Sequence, residues 1–508
     1  MDSGRKVHLK VVDFNPDNLK SAVIDQSFIL PSQEKSHLIY FQDYLQELGC
    51  KTIVAENPYV DGDYLDDYSA YYVKCFKEYN RRCKRIHFFS EQFNEDDLKN
   101  YLINDDKNRL NKDMLQQSYL GFTVIRPLPE AIIGRTALKT YPPDSGRRHF
   151  PCTREYCVGF LGTELNIRSL AFQEQDTVLA ACATSALWSA LHKTTELFGS
   201  KLLTPSQITA SASRHFLFGN RAFPSHGLNM YQLCQAIKEV GLEPEFRDYN
   251  KIVDFSGFIN GYLRYGIPVI LGLELQDPHC SSPQGLHAVT IVGYSLGGNA
   301  KMVKNAPIPL AAHAVDKYYV HDDQVGPFSR LTLDNPVKPQ KLTTGWPCDC
   351  GCGKMLHAIP KTIFVPVYHK IRITYEDVVG IVVYFHEFYE AVFNCDLIWD
   401  IFLSKVNQLK GEIYYNNNIE ASHKYNVLMH NYPRYIWRAV LSIEDNPILE
   451  LIFDSTDIQR GMFLNDIIYY YDEVKRMVKN SVDNNIDEIY LPDAYKVFLR
   501  KIITQKFP

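Results

Sequence analysis

The sequence between residues 151 and 375 changes from helical patterns to strand patterns at Gly266-Ile267-Pro268. Before this point, stretches such as Asn229 to Val240 repeat apolar residues with helical spacing and are stopped by a glycine. After it, the runs Val269 to Leu275 and Ala288 to Tyr294 are short, mostly apolar and rich in β-branched residues. Helices followed by strands predict a helical layer packed against an antiparallel sheet, which is the α+β class.

Two further regions flank this one, because 508 residues are enough for roughly two to four domains. Residues 1–150 alternate strand-like and helical stretches and are predicted to form an α/β module. Its strand-like runs are Val7 to Val12, Thr52 to Ala55, Arg85 to Phe89 and Phe122 to Ile125. The proline-rich segment Tyr141 to Gly146 is expected to connect it to residues 151–375. Residues 376–508 are predicted to be a mixed α/β module in which Ile436 to Ile443 and Ile448 to Phe453 form a hairpin.

Composition excludes several classes of protein. Apolar residues make up 45% of the chain and charged residues 22%, which are ordinary globular values. The net charge of -5 gives no basic face, so nucleic acid is not an expected partner. The longest apolar runs are too short for a signal peptide or a membrane span, and twelve cysteines are too dilute for a disulfide scaffold. We therefore expect a cytoplasmic protein without a membrane span.

A cysteine lies near the start of a predicted helix in the second region. Cys182 is surrounded by alanines, follows the candidate helix caps Asp176 and Thr177, and precedes an apolar stripe that ends at Gly199. The helix dipole and a neighbouring imidazolium stabilise the thiolate form of a cysteine in this position. A cysteine among alanines is by itself more often a packing residue, so its assignment as a nucleophile depends on its partners.

The expected partners are a histidine at the start of one strand and an acid at the end of another. His287 opens the run Ala288 to Tyr294, and the run Tyr318 to His321 leads into Asp322 and Asp323. A histidine activates such a thiol, and an acid orients the imidazole. Since side chains alternate along a regular strand, we expect only one of the two aspartates to face the histidine.

The succession of these segments resembles the papain-like peptidases that remove double-glycine leaders in bacteriocin exporters, and their free-standing relatives. The resemblance covers about residues 170 to 335 and rests on Gln175-Asp176, Ala181 to Ala186, Tyr265 to Ile270, His287 to Val289, and Val320 to Asp322. It implies a papain-like fold for residues 151–375.

The resemblance also implies a set of catalytic residues. Cys182, His287 and Asp322 match the triad, with Asp323 left as a solvated turn residue. In that family a glutamine before the cysteine shares the oxyanion hole with the backbone N–H of the cysteine. Gln175 is the matching residue and Gln173 is the competing candidate, because the spacing from Cys182 departs from the usual one.

The predicted function is a cysteine peptidase or related acyl-transfer hydrolase that acts on a peptide or isopeptide bond. The Cys182 thiolate attacks the carbonyl carbon and His287 protonates the leaving group. The expected partner is a protein or peptide substrate, no cofactor is expected, and the flanking regions offer sites for a regulatory partner. The alternative is a catalytically silent papain-like domain that acts as a binding or regulatory scaffold.

A second group of cysteines follows the strand region. Cys348, Cys350 and Cys352 alternate along the chain, with His357 after them and Cys152 and Cys157 upstream. Structural zinc sites more often space paired cysteines by two to four residues, so we expect turn cysteines here and no metal, with zinc as the alternative.

Overall fold

The computed structural model of the chain describes residues 7–24, 36–104, 109–129, 131–176, 181–214, 227–298, 303, 305–348, 350–458, 462–485 and 491–504. In this part of the chain, helices accompany sheets whose strands pair antiparallel. The predicted α+β class is therefore confirmed. Among the helices described, none has both the length and the apolar character that crossing a membrane requires.

The N-terminal region forms a five-stranded sheet in which each strand pairs with the next one along the chain. Its strands are β1 (His8–Asp13), β2 (Thr52–Tyr59), β3 (Cys83–Phe89), β4 (Tyr119–Ile125) and β5 (Ile133–Leu138). Its helices are α1 (Pro16–Val23), α2 (Ser36–Glu47), α3 (Gly62–Ala70), α4 (Glu95–Leu102) and α5 (Lys112–Ser118). The predicted alternation of strands and helices is present, but all four strand pairs are antiparallel, unlike the parallel pairs typical of an α/β module.

A hairpin beyond the predicted boundary at residue 150 packs with this N-terminal sheet. After the short strand β6 (Arg148–His149), strands β7 (Arg154–Phe160) and β8 (Thr163–Ser169) pair with each other. The hairpin's buried Phe160 and Leu165 share one apolar cluster with the N-terminal sheet. The chain therefore packs once more against the N-terminal sheet before it enters the central region.

The central region is a closed antiparallel sheet with helices on its outside. The helices are α6 (Cys182–Phe198), α7 (Pro205–Ala212), α8 (Met230–Glu239) and α9 (Phe255–Leu263). The strands are β9 (Leu242–Asp248), β10 (Val269–Gln276), β11 (Pro283–Leu296), β12 (Val315–Asp322), β13 (Gly326–Leu333), β14 (Leu342–Pro347) and β15 (Met355–Tyr368). Strands β10 to β15 pair in sequence order, and β10 also pairs with β15, which closes the sheet into a barrel.

The C-terminal region begins with a helix that starts at Tyr375, next to the predicted boundary. Its helices are α10 (Tyr375–Phe393), α11 (Val406–Tyr415), α12 (Ala421–Met429), α13 (Asp472–Asn485) and α14 (Asp493–Thr504). They accompany a four-stranded sheet of β16 (Ile398–Lys405), β17 (Tyr435–Ile443), β18 (Asn446–Asp454) and β19 (Leu464–Tyr469). The predicted hairpin is confirmed as β17 and β18. Its two-residue turn, Glu444-Asp445, has positive φ at both positions, as a type I′ turn requires.

Helix α2 of the N-terminal region packs against the turn between β12 and β13. The buried His37 ring lies 2.9 Å from the backbone carbonyl oxygen of Asp323, and the Tyr40 hydroxyl donates to the Pro327 carbonyl at 2.6 Å. At the other end of the helix, Glu47 pairs with Arg330 of β13. The first region thus supports the turn that carries Asp322 and Asp323.

Gly326 allows this close contact, which leads to a stability prediction. A Cβ at this position would lie 2.3 Å from Cδ1 of Tyr40, so Gly326→Ala must displace the ring that holds Pro327. We expect a loss of about 1–3 kcal/mol in the free energy of unfolding, measured by urea denaturation. Gly411→Ala is the matched control, because a Cβ there has open space in a helix interior and we expect a gain of about 0.5–1 kcal/mol. Equal stability of the Gly326→Ala variant and the wild type would contradict this packing.

Candidate functional site

Cys182 is the first residue of helix α6 and is partly exposed. The residue before it, Ala181, occupies the N-cap position, where alanine has no side-chain acceptor for the first N–H groups. The predicted caps are wrong, because the helix begins five residues after Thr177, which itself lies outside the described residues. The uncapped helix start directs N–H groups and the positive end of the helix dipole toward Cys182.

His287 faces this helix from strand β11. It is buried, and it pairs with Leu273 of β10 in the middle of the barrel wall. Its Nε2 atom lies 2.9 Å from Oδ1 of Asp322, and the Cys182 side chain is close enough to the same imidazole to raise its pKa. Since Nε2 is engaged by the carboxylate, Nδ1 is the ring atom left for the thiol. Cys182, His287 and Asp322 are therefore brought together at one place.

Both aspartates after β12 lie beside His287, contrary to the expectation that only one would. Asp322 ends the strand and Asp323 follows in the turn, where strand alternation no longer applies. Oδ1 of Asp323 is 3.5 Å from Nε2 of His287, and this side chain is buried rather than solvated as predicted. The register of β12 against β13 also shifts between Val320 and Asp322, which reorients the strand end. The imidazole is thus flanked by two carboxylates, of which Asp322 is the nearer.

These contacts change the protonation of the site. Burial lowers the pKa of His287, but the charge and hydrogen bond of Asp322, with smaller effects of Cys182 and Asp323, raise this pKa well above its usual value. Burial raises the pKa of Asp323 to about 7, with the imidazolium opposing this and the Asp322 carboxylate adding to it. The arrangement favours a protonated imidazole next to the thiol at neutral pH.

Two buried polar contacts attach helix α6 to the barrel. The Ser189 hydroxyl lies 2.9 Å from Nδ1 of His321 in β12 and donates to the Ala171 carbonyl at 2.7 Å. One turn earlier, the Thr290 hydroxyl of β11 donates to the Ala186 carbonyl at 2.7 Å. Burial lowers the pKa of His321 to about 3, so this second histidine stays neutral. These contacts fix the position of helix α6, and so of Cys182, relative to the strands that carry its partners.

Gln173, and not Gln175, lines the small cavity next to Cys182. The cavity has a volume of about 10 Å³, room for about one water molecule, and its other walls include Ser185, His321 and Asp323. Nε2 of Gln173 is buried and has no hydrogen-bond partner among the described residues. An unpaired amide donor beside the thiol has the chemistry that an oxyanion hole needs.

The indole of Trp346 packs against the imidazole of His287. Its ring centroid is 5.4 Å from that of His287, with the two rings at 74° to each other. Trp346 lies in β14, and two strands separate it from the strand of His287 in either direction around the barrel. Its sequence context carries no signal of a site, because the contact arises only when the barrel closes.

His287, Asp322 and Asp323 also have the donor atoms of a cation site, since one ligand atom of each lies within 4.8 Å of the others. A metal ion would need the lone pair on Nε2 of His287. The raised pKa of His287 favours a proton there instead. We therefore interpret the group as the acid–base part of a thiol site.

No protein-family model matches the chain, and no curated protein matches it. The functional assignment therefore rests on the geometry of the site and on the sequence order of its residues.

The two carboxylates are expected to contribute unequally to the pKa of His287. Asp322→Asn removes the nearer charge and should lower the titration midpoint of the imidazole toward its ordinary value of about 6.5. Asp323→Asn, the matched control, removes the more distant carboxylate and should lower it less. NMR titration of ¹⁵N-histidine-labelled protein measures both, with the signal assigned by its loss in His287→Gln. A larger shift for Asp323→Asn would reverse the assignment of the orienting acid.

Proposed function

We propose that the chain is a papain-like cysteine hydrolase that cleaves a peptide or isopeptide bond. The observation that carries the proposal is that the His287–Asp322 hydrogen bond lies beside Cys182, whose side chain adds to the raised pKa of the imidazole. These three residues come from a helix start and two different strands, so no local structural requirement explains why they meet. A nucleophile, a base and an orienting acid in this order are the parts that acyl transfer needs.

The catalytic cycle follows from the positions of these groups. The Cys182 thiolate attacks the carbonyl carbon, and the carbonyl π electrons move to oxygen to form a tetrahedral oxyanion. As this intermediate collapses, the C–N bond breaks and the leaving amine takes the proton from His287. The neutral imidazole then removes a proton from water, which attacks the thioester carbonyl carbon. The C–S bond breaks, the carboxylic acid product leaves, and the thiolate–imidazolium pair is restored. Asp322 keeps the imidazole oriented during both steps.

We assign the side-chain donor of the oxyanion hole to Gln173. Its amide nitrogen has no hydrogen-bond partner in the part of the chain that the structure describes, and Gln173 lines the cavity that Cys182 also lines. The backbone N–H of Cys182 at the uncapped helix start supplies the second donor. Gln175, the residue expected from the sequence resemblance, is not part of that wall.

The surrounding fold supports a papain-like assignment at the level of architecture. A helix with the nucleophile at its first residue packs against an antiparallel barrel that carries the base and the acid. All twelve cysteines are free thiols, which suits a reducing, cytoplasmic location. Helix α2 contacts the Asp322 turn, so the N-terminal region is a route by which a regulatory partner would act on the site.

Thiol labelling separates a hydrolase from the silent scaffold that is the alternative. At about pH 6, most thiols are protonated, but a thiolate paired with imidazolium stays reactive. We expect iodoacetamide to alkylate Cys182 faster than Cys395. Cys395 is exposed, but partial desolvation and the charge of Asp396 raise its pKa. Peptide mass spectrometry at short times measures the two rates. A Cys182 rate no higher than that of Cys395 would favour the scaffold.

Trapping the covalent acyl adduct on Cys182 in cells that express the protein, and identifying its acyl portion, would identify the substrate. Cys182→Ala should abolish turnover of the substrate identified by trapping, with little loss of stability, because the side chain is partly exposed at a helix start. Cys395→Ala is the matched control and should retain wild-type turnover. Turnover that survives Cys182→Ala would end the proposal.

The oxyanion assignment gives a further prediction. Gln173→Ala should lower the turnover rate by about ten- to a thousandfold, the range for loss of one such donor. Gln175→Ala, two residues away, should have little effect. Steady-state kinetics of both variants, with circular dichroism to verify folding, measures the difference. The opposite result would restore Gln175 as the donor.

A further inference from the structure

Two loops that are far apart in the sequence meet at one end of the barrel. Strand β10 pairs with β11 on one side and with β15 on the other, so the loop after β10 and the loop before β15 lie next to each other. The first loop carries His279 and the second carries Cys348, Cys350 and Cys352. The barrel topology thus brings an imidazole to the alternating cysteines.

The side chains of His279, Cys350 and Cys352 converge, and the Cys348 sulfur adjoins that of Cys350. His279 Nε2 lies 3.1 Å from the sulfur of Cys352 and 3.7 Å from that of Cys350, and the three ligand atoms lie within 4.8 Å of one another. The sulfur of Cys348 is 3.0 Å from that of Cys350, well beyond the roughly 2.05 Å of a disulfide bond. A tetrahedral zinc ion with three sulfur ligands and one nitrogen ligand separates them by about 3.5–3.8 Å.

We propose that Cys348, Cys350, Cys352 and His279 bind a structural zinc ion. Three thiolates and one imidazole form a closed four-ligand set, the chemistry that selects zinc in structural sites. His357, the histidine nearest to the cysteines in sequence, is not part of the group. It lies in β15, paired with Gln276 and Thr343. The proposal goes beyond the proposed hydrolase function and does not depend on it.

The backbone conformation and N–H groups of both loops support the proposed ligands. Gly351 and Gly353 adopt φ of +71° and +73°, which lets a chain with ligands at every second residue reverse direction. The N–H of Lys354 donates to the Cys352 sulfur at 3.4 Å, a contact that stabilises a thiolate. In the other loop, the Asp277 carboxylate accepts from the N–H of His279 at 2.7 Å.

The site stabilises the strand that covers the proposed active site. Cys348 directly follows β14, where Pro347 pairs with Met355 across the cysteine loop. Trp346, the residue before Pro347, is the one whose indole packs against His287. A zinc ion that joins this loop to the β10–β11 loop would keep the indole against the imidazole.

Metal analysis of the full chain tests the site directly. Protein purified without chelators should contain about one zinc ion per chain by elemental mass spectrometry. Cys350→Ser, Cys352→Ser and His279→Ala should each lose most of this zinc. Cys280→Ser is the matched control, because this exposed thiol neighbours His279 but contacts Ser282 instead, and it should retain zinc. His357→Ala should also retain it.

A measurement on the wild type keeps the test valid if a ligand variant fails to fold. Chelator-treated wild-type protein should bind Co²⁺ and show the strong visible bands of tetrahedral cobalt with thiolate ligands. A wild type that contains no zinc and gives no such bands would overturn the proposal. So would a Cys348–Cys350 disulfide in protein purified under reducing conditions, or zinc loss from Cys280→Ser equal to that from Cys352→Ser.

Tryptophan fluorescence tests the link to the covering indole. The chain has four tryptophans, and Trp188, Trp399 and Trp437 are fully buried, so Trp346 is the one placed to report on the cysteine loop. Zinc removal should change the emission of the wild type but not that of Trp346→Phe. An unchanged wild-type emission would overturn the link to Trp346.

Discussion

The hydrogen bond between His287 Nε2 and Asp322 Oδ1 joins two of the three residues that we propose carry out the chemistry. Both groups are buried, and burial alone would lower the pKa of His287. Their 2.9 Å contact offsets this effect and raises the pKa of His287, which leaves a proton on Nε2 and directs Nδ1 toward Cys182. Without this contact the imidazole would lose the main interaction that orients it and the main one that raises its pKa.

Two sets of contacts hold this pair near the start of helix α6. The helix is attached to the barrel through Ser189 and Thr290, and the turn that carries Asp322 is supported by helix α2 of the N-terminal region. A second carboxylate, Asp323, lies behind the first in a buried position that costs free energy when it is ionised. Strained or costly groups of this kind concentrate at functional sites.

The sequence predicts the residues of the site where they mark the limits of regular elements. Cys182 could be found because a helix pattern follows it, and His287 and Asp322 because strand patterns adjoin them. Asp323 could not be placed, since it lies in a turn, where alternation gives no orientation.

Contacts that form only when the barrel closes could not be predicted from the sequence. Trp346 and His279 belong to this group, because pairing of β10 with both β11 and β15 cannot be deduced from any one segment. His279 and Cys352 are 73 residues apart, so the sequence pointed to the nearer His357, whereas the structure places His279 beside the sulfurs. Likewise, alternating helices and strands in residues 1–150 did not reveal that the strands pair antiparallel.

The central claim is that a thiolate and an imidazolium coexist at Cys182 and His287. Ultraviolet difference absorbance of the thiolate, wild type minus Cys182→Ser at neutral pH, measures this without any substrate. The account predicts a signal of about one thiolate per chain that disappears in His287→Gln, because the imidazolium and the helix dipole stabilise the anion. A wild type that shows no excess absorbance over Cys182→Ser, or an excess that persists in His287→Gln, would contradict it.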